Sequence, residues 1–185
     1  MEHLNSQTNY IINYEQNVLN SKTEGTYIIT LDQTEVVYCK DGTCNIDYCV
    51  EHGIPYAHQS IYSNCGCVVG LKGNIFLNVK RINKQPYLLP MMSMALVKYF
   101  REKGLNSVRF INNDVLIDNH KVASGAQINA HGYQYMSYQI NINSDIELIK
   151  AICNKPMVKV PKALKDYDVT TEEMLSFCED FLSKY

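Results

Sequence analysis

The sequence predicts an α+β fold in which helices pack on a mixed, mostly antiparallel sheet. Segments rich in β-branched and aromatic residues outnumber those with helical periodicity. The two kinds of segment do not alternate strictly along the chain, as they do in parallel α/β folds. The 185 residues, of which 46% are hydrophobic, are enough to bury one core. We therefore expect a single domain over residues 1–185.

Five segments of the first half have the pattern of a regular element. A helix is predicted over residues 9–19, where apolar residues recur at helical spacing. Three strands are predicted where β-branched and aromatic residues cluster between polar turns. These strands cover residues 27–31, 35–38 and 75–79. Asn45 can cap a short helix that ends before Gly53 and Pro55.

The second half contains the clearest helix signals. A helix is predicted over residues 91–103, because Pro90 is tolerated in a first turn and Gly104 favours termination. Thr170 and Glu173 form a capping-box pattern that begins a last helix. The remaining predicted segments are strands over residues 107–111, 115–118, 121–128 and 135–142, and a helix over residues 145–152.

Charge and hydropathy exclude several classes of function. Nineteen acidic and 17 basic residues give a net charge of −2, without the basic surplus of a nucleic-acid-binding protein. The apolar run over residues 88–97 is interrupted by Pro90 and Ser93 and is too short to cross a bilayer. The first seven residues have neither the basic region nor the apolar stretch of a secretory signal. We therefore expect a soluble cytoplasmic protein that binds neither nucleic acid nor membranes.

The seven cysteines do not form a convincing disulfide or zinc framework. Cys39, Cys44 and Cys49 recur every five residues, and Cys65 and Cys67 form a C-x-C pair. Zinc sites prefer C-x2-C or C-x4-C pairs that a second pair supports. Without a secretory signal, cysteines are expected to be reduced. The sequence therefore favours small buried thiols over a metal site.

The stretch over residues 112–127 carries the strongest chemical signal. Its pattern predicts a β-hairpin with Asn113 and Asp114 before the first strand and Lys121 just beyond the turn. Asn and Asp oxygens can bind Mg²⁺, and a lysine in an enclosed site stabilises phosphate or carboxylate charge. The small residues that follow let a ligand or another backbone approach closely. A purely structural hairpin is the alternative interpretation.

These residues resemble the lipoate–protein ligases of the biotin/lipoate ligase group. The family pattern N-D-[IV]-x5-K-[IV]-x-G-S-A-Q is similar to residues 113–127, with the spacing to Lys121 kept and Ser124 and Gly125 in swapped order. A second family block, N-L-x-Y-x-x-E-H-G-I-P, resembles residues 45–55. Since the blocks are colinear over nearly the whole chain, the resemblance implies a biotin/lipoate-ligase-like catalytic domain without the family's C-terminal accessory domain.

The resemblance implies a two-step acyl transfer that uses ATP and Mg²⁺. Lipoate or octanoate would form an acyl-adenylate, and the acyl group would then pass to a lysine of a lipoyl acceptor domain. Lys121 would be the catalytic residue, and Asp114 would hold Mg²⁺. The positions that match the family's substrate- and nucleotide-binding positions are His58, Gln59, Cys65, Gly66, Asn74, Asn113, Asp114, Ser124, Gly125 and Ala126.

The chain departs from the family pattern near the substrates. His58-Gln59 stands in place of two arginines, residues 64–66 replace a glycine triplet, and Ser137-Tyr138 replaces a His-Gly pair. Triphosphate binding should be weaker, because His and Gln cannot match the bidentate fork of arginine. Adenylation in this chain could be retained, need a separate accessory subunit, or be lost.

Two alternatives to a ligase remain open. An octanoyl or lipoyl transferase would carry the acyl group on a cysteine and would need no ATP. In one branch of the transferases this cysteine lies at a position that corresponds to residues 107–112 here, and this segment contains no cysteine. In the other branch the corresponding position is Lys155, and Cys153 lies two residues before it. The second alternative is a diverged homologue that binds a ligand without catalysis. The absence of tryptophan and of a G-R-G-R-x-x-R-x-W loop argues against a biotin ligase.

Overall fold

The computed structural model describes residues 10–59, 66–82, 87–106 and 108–184. Nine strands and five α-helices are defined in this part of the chain. In chain order they are α1 (Tyr10–Asn20), β1 (Gly25–Thr30), β2 (Glu35–Tyr38), α2 (Ile46–Glu51), β3 (Tyr56–His58), β4 (Cys67–Gly70), β5 (Ile75–Ile82), α3 (Leu88–Glu102), β6 (Arg109–Ile111), β7 (Asp114–Ile117), β8 (His120–Ala130), β9 (Tyr133–Ile140), α4 (Ile146–Ile152) and α5 (Thr171–Leu182).

The strands form two sheets, which confirms the predicted α+β class. Six strands pair antiparallel in the order β1-β5-β9-β8-β7-β6. Three further strands pair in the order β3-β2-β4, in which β2 and β3 are parallel. The second sheet was not predicted, because β3 and β4 have only three and four residues and show little alternation. As a result, β1 and β2, predicted as strands joined by a turn, lie in different sheets.

The helix ends follow the signals in the sequence. The side chain of Asn45 accepts a hydrogen bond from the backbone N–H of Tyr48 and caps α2. The capping box of Thr170 and Glu173 begins α5. Gly104 follows α3 with a φ of +81°, which glycine adopts without strain. The bounds of the predicted elements differ from the observed ones by no more than three residues.

Strands β6 to β9 form a meander whose three turns share one backbone geometry. Both central residues of each turn have positive φ, at residues 112–113, 118–119 and 131–132. Such type I′ turns favour Asn, Asp and Gly, and their twist matches that of paired strands. The second turn confirms the predicted hairpin and places Lys121 at the start of β8, directly after His120.

One face of the six-stranded sheet packs against α3 and α5. Leu77 and Tyr138 from the sheet join Met92 and Phe100 from α3 and Met174 from α5 in the largest buried cluster. The strand residues that alternate with this cluster point to the other face of the sheet. Of the described helices, none is long and apolar enough to cross a membrane.

Candidate functional site

A row of residues across four neighbouring strands forms the floor of a cavity of about 530 Å³. Phe76 on β5 pairs with Gln139 on β9, which pairs with Ser124 on β8, which pairs with Asp114 on β7. All four line the cavity. This volume is typical of a small-molecule site.

One region of the cavity wall is apolar. Ile11 from α1, Val37 from β2, Val68 from β4 and Phe76 from β5 all line the cavity. The same four residues belong to one packed hydrophobic cluster that joins the two sheets. A hydrocarbon chain could therefore bind in this region with little exposure to water.

Another region of the wall carries positive charge. Lys121, Lys155 and Lys159 line the cavity, and the only carboxylate among its described lining residues is Asp114. The Nζ of Lys159 lies 2.6 Å from the Oδ2 of Asp114 and also donates a hydrogen bond to the carbonyl of Ile111. Since one of three ammonium groups is paired in this way, the region keeps a net positive charge that suits an anion.

Hydrogen bonds fix the backbone of Lys121, whereas its side chain has no hydrogen bond or ion pair in the described part of the chain. Its N–H donates to the carbonyl of Val160 at 2.9 Å, and its own carbonyl accepts from the N–H of Lys162 at 3.0 Å. The side-chain amide of Asn141 also donates to this carbonyl. The fixed backbone places an unpaired ammonium group on the cavity wall, where it can bind a carboxylate or a phosphate.

The structure brings most of the predicted site residues together. Those that line the cavity are Gln59, Gly66, Asn74, Asp114, Lys121, Ser124, Gly125 and Ala126. His58 is exposed, tilts against the Tyr38 ring and is absent from the lining. Asn113 also lies outside the lining, whereas its neighbour Asn112 is part of it. Cys65 lies outside the described residues.

Two of these residues have structural roles that the sequence did not reveal. The side-chain oxygen of Asn74 accepts a hydrogen bond from the N–H of Asn143 at 2.8 Å, so Asn74 joins two loops at the cavity edge. At Gly125, a Cβ atom would contact the Tyr138 ring and would lie 2.8 Å from the carbonyl oxygen of Ser137. The absence of a side chain at Gly125 is therefore required by packing beneath the cavity floor.

Several lining residues were not predicted as site residues. Ser137, Gln139 and Asn141 lie on the cavity side of β9 and the residue beyond it, alternating with buried Tyr138 and Ile140. This period-two alternation of polar and apolar residues is present in the sequence and could have identified them. The position of Lys159 depends instead on how the segment after α4 folds back, which no local pattern encodes.

Cys153, at the C-terminal end of α4, places a thiol on the cavity wall together with Cys67 of β4. The pKa of Cys153 is lowered by its interaction with the Cys67 thiol and also by the positive charge of Lys121, although partial burial and the neighbouring Cys44 oppose the shift. A lowered pKa increases the thiolate fraction, which is the nucleophilic form. The cavity therefore combines a cationic amine with a thiol whose pKa is lowered.

The sequence predicted that Asp114 holds Mg²⁺. In this structure Asp114 can do so only together with the phosphates of a bound nucleotide. Lys159 binds its Oδ2, which leaves Oδ1 for a cation. In sites that bind Mg²⁺ with a nucleotide, one or two carboxylates suffice because phosphates and waters supply the other ligands. A single carboxylate fits this arrangement. Among the described residues, no group of three or more His, Cys, Asp or Glu side chains is arranged to hold a metal ion.

Comparison with known proteins finds similarity in structure and none in sequence. No protein-family profile matches the chain, and no curated protein matches it in sequence. The bipartite lipoate protein ligase from Thermoplasma acidophilum, described with its E2 lipoyl domain, has a TM-score of 0.74 and 19% identity over 92% of this chain and 76% of its own.

Two further structures give the same TM-score of 0.74 at 18% identity. One is a T. acidophilum protein with bound lipoic acid, which matches over 95% of this chain and 80% of its own. The other is a lipoate-protein ligase A bound with ATP, which matches over 92% of this chain and 77% of its own. The chain therefore has the fold of these structures, which confirms the predicted fold.

Proposed function

We propose that this chain is a lipoate–protein ligase that activates lipoate or octanoate with ATP and transfers the acyl group to a lysine of a lipoyl acceptor domain. The shared fold supports this proposal, as do the ATP and lipoic acid bound by the similar structures. The observation that carries it is the ammonium group of Lys121, unpaired among the described residues, on the wall of a partly apolar cavity.

The cavity has the two regions that an acid with a hydrocarbon chain requires. The apolar cluster of Ile11, Val37, Val68 and Phe76 would bind the chain, and burial of its methylene groups would supply much of the binding free energy. The ammonium group of Lys121 would bind the carboxylate. Recognition of the carboxylate alone does not select a chain length. The proposed substrate class is therefore a short fatty acid or its dithiolane derivative.

In the first step, a carboxylate oxygen attacks the α-phosphorus of ATP, and pyrophosphate leaves. The positive charge of Lys121 would stabilise the negative charge that develops on the oxygens of the α-phosphate. Lys155 and Lys159 line the same region and would partly replace the two arginines of the family. They would do so as point charges rather than bidentate donors. Asp114, with Asn112 beside it on the cavity wall, would hold Mg²⁺, which would neutralise phosphate charge.

In the second step, the amine of an acceptor lysine attacks the acyl carbonyl carbon, and AMP leaves with the electron pair of the broken carbon–oxygen bond. No covalent enzyme intermediate forms on this route. The acceptor would be a lipoyl domain, as in the archaeal system of similar fold. A separate accessory subunit could supply nucleotide contacts that the replaced arginines would have made.

The location of Cys153 supports a second candidate function, that of an octanoyl or lipoyl transferase. Its thiol lies on the cavity wall, and its pKa is lowered by Cys67 and by Lys121. Cys153 could attack an acyl thioester, expel the donor thiol and later pass the acyl group to the acceptor lysine. This route needs no ATP and would leave an acyl group on Cys153 between the two steps.

Intact-mass analysis separates the two routes. The full chain is incubated with a lipoyl domain, lipoate, ATP and Mg²⁺, and in parallel with an octanoyl thioester and no ATP. A ligase adds the lipoyl mass only in the first reaction. A transferase adds the octanoyl mass in the second and carries the same mass itself, on Cys153. If the chain binds lipoate but neither reaction modifies the acceptor, the proposal is wrong and a binding homologue remains.

A further inference from the structure

Four of the six described cysteines converge at one end of the cavity. They are Cys44 and Cys49, Cys67 of β4 and Cys153 beyond α4. The Sγ atoms of Cys44 and Cys49 lie 3.9 Å apart. Cys67 is close enough to both Cys44 and Cys153 for their thiols to raise its pKa. The chain thus brings together thiols that are up to 109 positions apart in sequence, from Cys44 to Cys153, and we call these four residues the thiol cluster.

The backbone places Cys44 and Cys153 directly opposite each other. The two residues form an isolated antiparallel bridge. Its flanking hydrogen bonds run from the N–H of Asn45 to the carbonyl of Ile152, at 2.7 Å, and from the N–H of Asn154 to the carbonyl of Thr43, at 3.1 Å.

This pattern makes Cys44 and Cys153 a non-hydrogen-bonded pair, for which the Cα atoms are typically about 4.5 Å apart. Disulfides span Cα distances of about 4.4–6.8 Å, so the two thiols can be joined with little movement of the backbone. The side chains of such a pair also lie on the same face of the bridge.

Exposure differs across the thiol cluster. Cys67 and Cys153 line the cavity, whereas Cys44 and Cys49 are buried behind them. A small oxidant that enters the cavity can therefore reach Cys153, while Cys44 is shielded from bulk solvent. Of the two thiols on the cavity wall, Cys153 is the one opposite Cys44, so Cys153 can react first and Cys44 can complete a disulfide.

We propose that Cys153 and Cys44 are a reversible dithiol–disulfide site that reacts with low-molecular-weight disulfides. The Cys153 thiolate attacks one sulfur of the small disulfide, and the released thiolate takes up the proton that Cys153 lost. Cys44 then attacks the Cys153 sulfur and expels the second small thiol, which takes the Cys44 proton. Two protein thiols are oxidised, and one small disulfide is reduced to two thiols.

This site goes beyond the proposed acyl transfer and does not depend on it. The disulfide is detected by its mass and its pairing, which no acyl substrate affects. Oxidation would consume the Cys153 thiol on the cavity wall, so it would also block the transferase route. A failure to form the disulfide would leave the ligase proposal untouched, and a failure of acyl transfer would leave the disulfide.

The test is disulfide mapping of the folded chain. The reduced protein is incubated with oxidised glutathione, quenched with iodoacetamide and digested without reductant. We expect a Cys44–Cys153 linked peptide, loss of two hydrogen atoms in intact mass, and full reversal by dithiothreitol. Cys153→Ser and Cys44→Ser should both abolish the linked peptide. Cys39→Ser is the matched control, because Cys39 lines the cavity outside the thiol cluster, and this variant should retain the link.

Three results would overturn the proposal. The first is that iodoacetamide still modifies both Cys44 and Cys153 after incubation with oxidised glutathione, while circular dichroism shows that the chain remains folded. The second is a link of Cys153 to Cys67 in place of Cys44. The third is native mass spectrometry that finds a metal ion held by these cysteines, because metal-bound thiolates would not be free to form the disulfide. If Cys44→Ser fails to fold, the identity of the peptide linked to Cys153 in the wild-type chain still tests the pairing.

Discussion

The ammonium group of Lys159 lies 2.6 Å from the Oδ2 of Asp114 and ties the segment after α4 to the first residue of β7. The two side chains are 24% and 15% exposed, so water screens this ion pair less than a surface pair. Asp114 also lies at one end of the residue row that forms the cavity floor. The ion pair therefore connects the cationic wall of the cavity to its floor.

We expect Lys159 and Asp114 to be energetically coupled. A double-mutant cycle with Lys159→Met and Asp114→Asn, measured as free energies of unfolding in urea, should give a coupling energy of about 1 kcal/mol. The exposed pair of Lys150 and Glu147, 56% and 83% exposed, is the control and should give less than about 0.5 kcal/mol. Equal coupling energies for the two pairs would contradict the structural role of Lys159.

Gly125 of β8 is expected to be important for stability. Gly125→Ala should lower the free energy of unfolding by about 1–3 kcal/mol, because the new Cβ would lie 2.7 Å from a methyl group of Leu89 and 2.8 Å from the carbonyl oxygen of Ser137. Gly66→Ala is the control, since its Cβ would meet no described atom within 4 Å. Its effect should stay within about 0.5 kcal/mol. Thermal and urea denaturation of the two variants measure the difference.

Local signals predicted the hairpin but not the reason for its glycine. The Asp118-Asn119 turn is encoded by residues that tolerate positive φ, so the hairpin could be predicted from a few residues. The contacts of Gly125 involve Leu89 and Tyr138, which are 36 positions before and 13 positions after it in the sequence. Its small size was interpreted as room for a ligand or another backbone, whereas side-chain packing beneath the sheet also requires it.

Cys153 should react at lower pH than an ordinary cysteine. Its pKa is lowered by its interaction with the Cys67 thiol and by the charge of Lys121, and alkylation requires the thiolate. We expect the pH midpoint for iodoacetamide labelling of Cys153, followed by peptide mass analysis, to lie below that of Cys153 in the denatured chain. Lys121→Gln should move this midpoint upward, because one of the two favourable contributions is lost.

Cys178 is the internal contrast for this experiment. Burial raises its pKa to about 12, so it should resist labelling while the chain is folded. A Cys153 midpoint equal to that of a denatured chain would show that its surroundings do not favour the thiolate.

The capping box of α5 should contribute measurably to stability. The hydroxyl of Thr170 accepts a hydrogen bond from the N–H of Glu173 at 3.2 Å, and the Glu173 carboxylate accepts one from the N–H of Thr170 at 2.9 Å. Thr170→Ala should lower the free energy of unfolding by about 1 kcal/mol, whereas Thr170→Ser keeps the hydroxyl and should be close to wild type. A loss shared equally by both variants would argue against the cap.

The candidate site could be predicted only in part, because its residues come from segments far apart in the chain. Lys121 and Asp114 lie in one hairpin, so a local pattern found both. Lys159 reaches the cavity because the segment after α4 folds back over the sheet. Cys67 reaches it on β4, a strand too short to predict. His58 is the opposite case, since it was predicted beside Gln59, but His58 at the end of β3 is exposed and only Gln59 lines the cavity.

The most direct test of acyl activation compares wild type with Lys121→Gln in one assay. The full chain is incubated with a lipoyl domain, lipoate, ATP and Mg²⁺, and the intact mass of the acceptor is followed over time. Lys98→Gln is the control, because Lys98 is exposed and pairs with Glu102 on the surface of α3. We predict that wild type and Lys98→Gln add the lipoyl mass and that Lys121→Gln is slower by about 100-fold or more. An acceptor of unchanged mass with wild type, or equal rates with Lys121→Gln, would contradict the proposal.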